Sequence, residues 1–262
     1  TVLRAAQLIK TGETIELAHE LGAGMPIQAT RQFNVHTKRT VMNQPSNRRG
    51  SNEELLTSEI GQVGTQFDGL GHIGIQQGKD GDKNETRFYN GVTLQEMGDA
   101  YGLKKLGIEK CKPFFTRAHL IDVAGLKGQM WDAGQEIMLA DVRAAMERQG
   151  LEESDIKQGD AIFFNTGWGA LWMKNNDRFN AGEPGIGLEV AHWIVTKLPA
   201  LVGADTWGTE VVPNPDKNLA FPVHGELITK NGIFNHENLV FDELIKDRKY
   251  QFVYVFSPTP IK

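Results

Sequence analysis

Hydrophobic residues along this chain gather in short runs that are separated by glycines, prolines and charged residues. Four runs are rich in the β-branched and aromatic residues that are typical of strands, at positions 14–17, 118–123, 161–165 and 250–256. Three other segments have helical spacing, at 93–100 after a Thr cap, 140–149 before Gly150, and 188–198 before Pro199. This irregular order of strands and helices predicts an α/β protein that lacks the regular alternation of a Rossmann fold or an eight-fold barrel.

The chain shows no fixed-period repeat, low-complexity tract or linker, so we expect a single domain over residues 1–262. A composition of 40% hydrophobic and 23% charged residues is that of an ordinary globular protein, and the length permits a substantial core. Cys111 is the only cysteine and has no adjacent histidine, so we expect neither an internal disulfide nor a cysteine nucleophile.

The charge and hydropathy of the chain narrow the classes of partner. A net charge of -5 gives no basic surface for nucleic acid or anionic membrane, and we expect neither as a partner. No apolar run approaches the roughly 18–20 residues that span a bilayer. The N-terminal residues lack the long apolar stretch of a secretory signal, so we expect a cytoplasmic protein.

Glycines are concentrated in one part of the chain, with seven between residues 61 and 81. This density weakens regular secondary structure and suits a backbone that turns tightly beside a bound group. The phosphate-loop pattern is absent. Residues 69–74, GLGHIG, have the bare glycine spacing of the dinucleotide-binding pattern, but the chain lacks the regular strand–helix alternation in which that pattern works, so a nucleotide-dependent enzyme is not favoured. The interleaved side chains are Gln, Thr, Asp and His, which offer oxygen and nitrogen ligands instead.

Within this region, residues 62–72 read QVGTQFDGLGH. Residues two apart share a face of an extended backbone, so we expect Gln62, Gly64, Gln66 and Asp68 to project together, with His72 returning after a turn. An aspartate and a histidine four residues apart can ligate one divalent cation. That spacing also occurs by chance in many loops, and a turn-forming aspartate is the alternative.

The same segment resembles the signature H-x-G-T-H-x-D-x-P-x-H of the metal-dependent cyclase family, which includes bacterial kynurenine formamidase and isatin hydrolase. Gly64, Thr65, Asp68 and His72 stand in register with it. Further blocks resemble the family in the same order, at 15–26, 159–168, 203–207, 221–228 and 232–239. The chain is therefore identified as a member of this family. The resemblance implies a swivelling β/β/α, cyclase-like α/β fold with a mixed sheet and surrounding helices.

The first two signature histidines are replaced here by Gln62 and Gln66. In binuclear relatives those histidines and the shared aspartate hold one metal, and the aspartate, the third histidine and a distant His/Glu pair hold the other. Carried over, the resemblance implies one ion per chain held by the second set, Asp68, His72, His224 and Glu237. Gln66 contributes an amide oxygen or a hydrogen bond, and His236 is the alternative to its neighbour Glu237. Two carboxylates and two imidazoles suit Zn²⁺ or Mn²⁺ equally.

The resemblance implies a hydrolase that opens a small amide, lactam or lactone with metal-activated water. Catalysis is assigned to His224, Glu237 and Asp68, and the proton is shuttled by Glu237 or His224, with Asp205 and Glu210 as the next candidates. The replaced histidines support an alternative hypothesis, a non-catalytic relative that binds a small molecule.

Aromatic and polar residues of the matching blocks are candidates for substrate binding. We expect Trp168 and Trp207 to line the pocket, together with Asp205 and Gln62, because aromatic walls suit a small planar organic substrate. Core packing is the alternative role for both tryptophans. Relatives form dimers or tetramers, so we expect a homodimer or homotetramer.

Overall fold

The computed structural model of this chain describes residues 1–28, 30–41, 47–79 and 82–262. Gly81, one of the glycines of the predicted loop, lies outside the described residues. The strands are β1 (Phe33–Val41), β2 (Gly50–Ser58), β3 (Gln66–Asp68), β4 (Ile75–Gln76), β5 (Thr86–Arg87), β6 (Gly98–Asp99), β7 (Gly102–Leu103), β8 (Phe114–Asp122), β9 (Glu136–Ile137), β10 (Ala161–Asn165), β11 (Gly185–Ile186), β12 (Leu201–Ala204), β13 (Phe234–Glu237) and β14 (Gln251–Phe256).

The α-helices are short, and only two of those described reach ten residues. They are α1 (Val2–Ala6), α2 (Leu94–Met97), α3 (Val123–Lys127), α4 (Leu139–Arg148), α5 (Asn176–Asn180), α6 (Leu188–Lys197), α7 (Pro222–His224) and α8 (Asp242–Lys246). A π-helical turn, Gly225–Lys230, continues α7. No helix within the described ranges combines the length and the hydrophobicity that a membrane crossing requires.

A six-stranded mixed sheet forms the centre of the fold, in the order β14-β8-β10-β12-β13-β3. The four inner strands run parallel, and β14 and β3 pair antiparallel at the two edges. This mixed sheet with surrounding helices confirms the predicted α/β class. The extent of the chain as one domain, residues 1–262, stays a prediction.

The sheet is buried on both faces. From β10, Ile162 and Phe164 pack into a cluster with α4 and α6, whereas Ala161 and Phe163 pack into a second cluster with Leu244 of α8. Burial on both faces explains why the strand is a continuous apolar run in the sequence rather than an alternating one.

Most predicted elements are present with small shifts at their ends. Residues 161–165 are β10, 250–256 contain β14, and 118–123 lie in β8 except for Val123, which begins α3. The helix predicted at 93–100 ends at Met97, because Gly98 adopts φ 157° and pairs with Leu103.

The strand predicted at 14–17 is wrong. This segment is irregular. Ile15 and Leu17 pack against the core, and the backbone pairs with the rest of the protein at an isolated bridge, Ala18 with Leu239, and at a hydrogen bond from Val240 N–H to Leu17 O at 2.9 Å. A single bridge leaves no ladder to extend, so the apolar residues pack without forming a strand.

The hairpin of β1 and β2 was not predicted. Its two strands pair with each other over nine residues each and form a separate two-stranded sheet. Nearly all of its residues are exposed. Because neither face is buried, the hairpin lacks the alternating pattern by which strands are recognised.

Candidate metal centre

Two short antiparallel strands create a buried polar patch at one edge of the main sheet. Asp68 and Gln66 of β3 lie opposite Asn235 and Glu237 of β13, respectively. Cross-strand partners project from the same face, so the four side chains converge. Each is at most 6% exposed. Asparagine and glutamate in alternate positions of one strand therefore face two residues of the glycine-rich segment.

Gln62 reaches the same patch by a different path. Gly64 has φ +62°, so the extended backbone does not continue back from Gln66 to Gln62. A Cβ at Gly64 would lie 2.0 Å from Leu21 Cδ2, which adds a steric demand for glycine. The expectation that Gln62, Gly64, Gln66 and Asp68 alternate along one strand is therefore wrong. The Gln62 amide nonetheless donates to Asp68 Oδ1 at 3.0 Å.

His72 returns to Asp68 through a tight turn. Its backbone N–H donates to Gly69 O at 2.9 Å, and its ring Nε2 lies 3.7 Å from Asp68 Oδ1. The side chain is 33% exposed, so this edge of the centre is open to solvent. Burial lowers the pKa of His72, and the charge of Asp68 opposes that shift. The neutral imidazole is the form that binds a metal ion.

His224 completes the group from a distant part of the chain. It ends the short helix α7, and its Nε2 lies 3.6 Å from Asp68 Oδ2 and 3.3 Å from Glu237 Oε1. Glu210 Oε1 accepts hydrogen bonds from His224 Nδ1 at 2.5 Å and from its backbone N–H at 2.9 Å. Glu210, expected as an alternative proton shuttle, therefore orients His224 and leaves Nε2 free to face Asp68.

Three carboxamides surround the two carboxylates of the patch. Gln66 donates through its amide nitrogen to Glu237 Oε2, rather than presenting its oxygen. Asn235 Nδ2 bridges Glu237 Oε1 at 2.6 Å and Asp68 Oδ2 at 3.2 Å. Neutral N–H donors thus partly compensate two buried acids. Asn235 was missed by the sequence analysis, although its position two residues before Glu237 is the signal that it shares that face.

The close acids and histidine shift one another's ionisation. Burial, and then the charge of Asp68, raise the pKa of Glu237 to about 7. Burial acts to lower the pKa of His224, but hydrogen bonds with Asp68, Glu210 and Glu237 outweigh it and hold that pKa well above its usual range. The negative charge of the buried carboxylates contributes to both raised pKa values, those of Glu237 and His224, and the neighbouring N–H groups do not fully neutralise it. Such a site favours a bound cation.

Glu183 is a further residue near the centre that the sequence did not indicate, because it lies outside every block that resembles the family. It is fully buried, and its Oε2 accepts from the Trp207 backbone N–H at 2.6 Å. Its Oε1 has no hydrogen-bond partner within the described part of the chain. Burial, and then the charge of Glu237, raise the pKa of Glu183 well above its usual range. Glu183 is therefore a buried acid behind the site in which the neutral form is favoured relative to an exposed glutamate.

The donor atoms fit a divalent cation. One atom from each of Asp68, His72 and His224 lies within 4.8 Å of the other two. Ligands held tetrahedrally at about 2.0–2.2 Å from an ion stand about 3.4 Å apart. His72 Nε2 lies 3.7 Å from Asp68 Oδ1 and His224 Nε2 lies 3.6 Å from Asp68 Oδ2, so each histidine approaches a different oxygen of the carboxylate at about this spacing. Glu237, predicted as a further ligand, approaches His224 Nε2 but falls outside this group of three among the described residues.

Glu237, rather than its neighbour His236, belongs to the centre. His236 projects from the opposite face of β13, where its Nδ1 lies 2.5 Å from the Tyr254 hydroxyl oxygen. It contributes to the lining of a separate cavity of about 820 Å³. The alternation of side chains along β13 therefore resolves the alternative left open by the sequence.

Three of the residues predicted to bind substrate, Asp205, Trp168 and Trp207, lie away from the open cleft. Asp205 is buried and accepts hydrogen bonds from Thr166 N–H and Oγ1, both at 2.8 Å, and from Gly169 N–H at 3.2 Å. Trp168 is fully buried, and its indole N–H donates to a backbone carbonyl. These two residues brace the loop after β10. Trp207 is half-buried and approaches His224 through the intervening ring of Phe221.

A cleft of about 580 Å³ opens beside Asp68 and His72, whereas His224 and Glu237 are not among its described lining residues. Its polar lining includes Gln62, Gln66, Asp68 and His72. Apolar residues also line it, among them Leu21, Phe33, Leu56, Leu103, Ile108 and Phe256. Within the described ranges, neither predicted tryptophan is part of that lining, so the observed walls are aliphatic and phenylalanine side chains.

The sequence and the fold of this chain are similar to those of known proteins. A protein whose crystal structure is described as that of a novel cyclase has 28% sequence identity to this chain. The two structures superpose with a TM-score of 0.83, and the match covers 99% of this chain and 86% of the other. Isatin hydrolase A from Labrenzia aggregata, solved with benzyl benzoate, is 16% identical with a TM-score of 0.65 over 95% of this chain and 88% of its own. An isatin hydrolase bound to the product analogue thioisatinate is 17% identical with a TM-score of 0.62, over 95% and 86%.

The two isatin hydrolases show a shared fold and no more, because their identity to this chain is low. No curated protein matches the sequence significantly. The structural matches confirm the cyclase-like swivelling fold class. The sequence model of the Cyclase family, described as "Putative cyclase", matches residues 15–211. This match covers most of the chain, and the chain therefore belongs to the cyclase family.

Proposed function

We propose that this protein is a metal-dependent hydrolase of a small amide, lactam or lactone. The observation that carries the proposal is the convergence of Asp68, His72 and His224 at separations suited to one divalent ion. An open cleft reaches Asp68 and His72, so a small molecule has a path to two of these three residues. Three protein ligands with one open position are typical of catalytic rather than structural zinc sites.

In this proposal Asp68, His72 and His224 hold the ion, and Glu210 holds His224 in the orientation that binding requires. When bound, a divalent ion supplies Lewis acidity toward a carbonyl oxygen and lowers the pKa of water. The donor set does not discriminate between Zn²⁺ and Mn²⁺. We propose one ion per chain, because Gln62 and Gln66 already satisfy Asp68 and Glu237 with neutral hydrogen bonds.

Glu237 is proposed to move the proton. Its Oε1 lies 3.3 Å from His224 Nε2, and its pKa of about 7 suits a group that takes and returns a proton near neutral pH. Asn235 and Gln66 hold both of its oxygens in place. Glu237 would therefore accept a proton from the attacking water and deliver it to the leaving nitrogen or oxygen.

The substrate is proposed to be small and planar. A cleft of about 580 Å³ with largely apolar walls suits a molecule of the size of a fused bicyclic ring. Two of the structural neighbours are named isatin hydrolases, and isatin is a planar lactam. Phe33 and Phe256, rather than Trp168 or Trp207, offer aromatic contact in this cleft.

The test combines metal analysis with a substrate panel. The purified protein is loaded with Zn²⁺ or Mn²⁺, dialysed and measured for metal content, and then assayed on formanilide, isatin and an aryl lactone. We expect about one ion per chain and metal-dependent turnover of at least one probe, both lost in Asp68→Asn. The exposed-residue variant Asp216→Asn is the matched control and retains both. Metal-independent turnover, or full activity in Asp68→Asn, contradicts the proposal.

A second candidate function is a non-catalytic small-molecule binding protein. It is favoured by the hydrogen bonds from Gln62, Gln66 and Asn235, which satisfy much of the carboxylate pair without any ion. Under this hypothesis, isatin binds in calorimetry with the same affinity in metal-free and metal-loaded protein and is not consumed. Metal-dependent turnover of any panel compound removes it.

A further inference from the structure

A second cavity, of about 820 Å³, lies on the face of β13 opposite the metal centre. Glu237 faces the metal centre, whereas its neighbour His236 projects from the other face of the strand and lines this cavity. Protein interiors contain few voids larger than a water molecule, and pockets that bind small molecules measure about 300–1,000 Å³. The size of the cavity therefore suits a bound organic molecule rather than a packing defect.

One wall of the cavity is formed by residues 8–17, which we call the strap. The strap adopts neither helix nor strand. Its Glu13 Oε2 accepts a hydrogen bond from Lys249 Nζ at 2.6 Å, and its Leu17 O accepts one from Val240 N–H at 2.9 Å. A segment without ladder hydrogen bonds opens more readily than the sheet beneath it, so the strap offers a route of entry for a ligand.

The interior of the cavity is apolar on the side of the main sheet. Several of its lining residues belong to one hydrophobic cluster, among them Ile15 of the strap, Leu239, Leu244 and Phe252. Apolar cavities tend to exclude water and to take up apolar molecules of matching size. We therefore expect an occupant that is largely apolar.

His236 brings an unpaired polar atom to this cavity. The residue is only 5% exposed, and its ring Nδ1 lies 2.5 Å from the hydroxyl oxygen of Tyr254. Its Nε2 forms no hydrogen bond within the described part of the chain, yet it is not fully enclosed by protein. Buried polar atoms are nearly always hydrogen-bonded, so this nitrogen calls for a partner from a bound molecule.

The tautomer of His236 decides what Nε2 offers to that molecule. Burial favours the neutral form of an imidazole. A phenol is a good hydrogen-bond donor and a neutral imidazole nitrogen is a good acceptor, so we assign the Tyr254 hydroxyl as the donor to Nδ1. The ring hydrogen then resides on Nε2. The cavity therefore presents one N–H donor between apolar walls.

We propose that this cavity binds an uncharged, largely apolar molecule whose carbonyl oxygen accepts a hydrogen bond from His236 Nε2. Aryl ketones and aryl esters have this chemistry and fit the volume. The occupant lies across β13 from Glu237, so its binding requires no metal ion and does not depend on the proposed hydrolase activity. Leu21, Thr65 and Phe256 line both this cavity and the cleft beside the metal centre, so the two sites adjoin.

The first test is a fluorescence titration of the full, metal-free chain with Prodan, an uncharged fluorescent naphthyl ketone. We expect saturable binding of one probe per chain, with emission shifted to shorter wavelength. Ile15→Asp should weaken binding at least about tenfold, because it places a charge in the apolar wall. Leu56→Asp is the matched control, since Leu56 lines the other cleft and is 52% exposed, and it should leave the affinity unchanged. An absence of saturable binding, full affinity in Ile15→Asp, or a loss in Leu56→Asp overturns the proposal.

The second test isolates the hydrogen bond. Difference infrared spectra of Prodan labelled isotopically at its carbonyl should show the C=O stretch at lower wavenumber in the complex than in an apolar solvent. In His236→Phe this shift should disappear and the affinity should fall about fivefold. The double variant His236→Phe/Tyr254→Phe leaves no unpaired hydroxyl and should behave in the same way.

The control for the second test is His192→Phe, which changes a histidine of α6 that is 63% exposed and should alter neither the spectrum nor the affinity. Thermal melting confirms that each variant is folded. An unshifted carbonyl in the wild-type complex, or an unchanged shift and affinity in folded His236→Phe, overturns the assigned hydrogen bond and with it the proposal.

Discussion

Glu210 accepts hydrogen bonds from both the ring Nδ1 and the backbone N–H of His224, at 2.5 and 2.9 Å. One carboxylate oxygen thus sets both the tautomer and the position of the imidazole that faces Asp68. Carboxylates placed behind a ligating histidine typically change metal affinity by 10–100-fold. Glu210 is therefore a positioning residue for the proposed site.

Replacing Glu210 by glutamine should weaken binding of the proposed ion by about 10–100-fold. The amide keeps the size of the side chain but removes the charge that favours N–H on Nδ1. Competition with a fluorescent zinc chelator measures the affinity. Glu226→Gln, a change in an acid that pairs with Lys230, is the control and should leave affinity unchanged. Equal affinities in Glu210→Gln and wild type would show that the contact does not support metal binding.

Replacing Gly185 by alanine should displace the backbone of Glu210. A Cβ at Gly185 would lie 2.3 Å from the carbonyl carbon of Glu210, so the backbone must shift. Overpacking of this kind costs about 1–3 kcal/mol, and we expect a lower free energy of unfolding together with weaker metal binding. Gly12→Ala is the control, because nothing lies within 4 Å of the added carbon. Urea unfolding gives the stability, and unchanged values in Gly185→Ala would count against this packing.

Introducing histidine at both Gln62 and Gln66 should raise the metal content from one to two ions per chain. The amides meet Asp68 and Glu237 only as N–H donors, whereas imidazoles are good zinc ligands on either side of Asp68. Metal analysis after zinc loading and dialysis gives the ratio. Gln95→His, at an exposed helical residue, is the control and should bind no additional ion. A ratio that stays at one in the double variant would show that the patch cannot accept a second cation.

Asp160 should make stability depend on pH. It is fully buried, and burial acts to raise its pKa, but hydrogen bonds from His119, Arg117 and Arg4 outweigh this and hold the pKa well below its usual range. A depressed carboxyl pKa stabilises the folded state above the unfolded value of about 3.9, and this contribution is lost as pH falls toward the folded value.

Asp160→Asn should therefore lower the free energy of unfolding by about 3 kcal/mol at pH 7, because the largely buried guanidinium of Arg117 loses the carboxylate that compensates its charge. The difference between variant and wild type should shrink as pH falls below about 4. Urea titrations across that range measure it, with the exposed-residue variant Asp216→Asn as control. A difference that stays constant with pH would exclude ionisation of Asp160 as the cause.

The fold was predictable where burial imposes a pattern. The strand at 161–165 and the helices ending near Gly150 and Pro199 follow from apolar runs and terminal residues, and the structure has them within a residue or two. The short strands β3 and β13 are not among the strands predicted from apolar runs, because alternate residues of each, Gln66 and Asp68 in β3 and Asn235 and Glu237 in β13, are polar and face the site. Local patterns report burial, and these strands are buried with polar side chains.

The candidate site was predictable only in part, for a related reason. The convergence of Asp68 with His224, more than 150 residues away, came from the resemblance to a family and not from spacing. Neither the resemblance nor the spacing predicts how the side-chain amides of Gln62, Gln66 and Asn235 are oriented. For Gln66 the sequence left open an amide oxygen or a hydrogen bond, and in the structure its amide N–H donates to Glu237, because a buried carboxylate needs a hydrogen-bond donor.

The edge position of β3 has a consequence for the lifetime of the protein. Among the described residues this three-residue edge strand pairs with β13 alone, and it carries Asp68. An ion shared by Asp68 and His224 would cross-link that strand to α7, and occupancy at a hundred times Kd adds about 2.7 kcal/mol to stability. Resistance to heat and proteolysis would then depend on the concentration of free metal. A metal-free chain would unfold locally first at β3, the strand that carries Asp68.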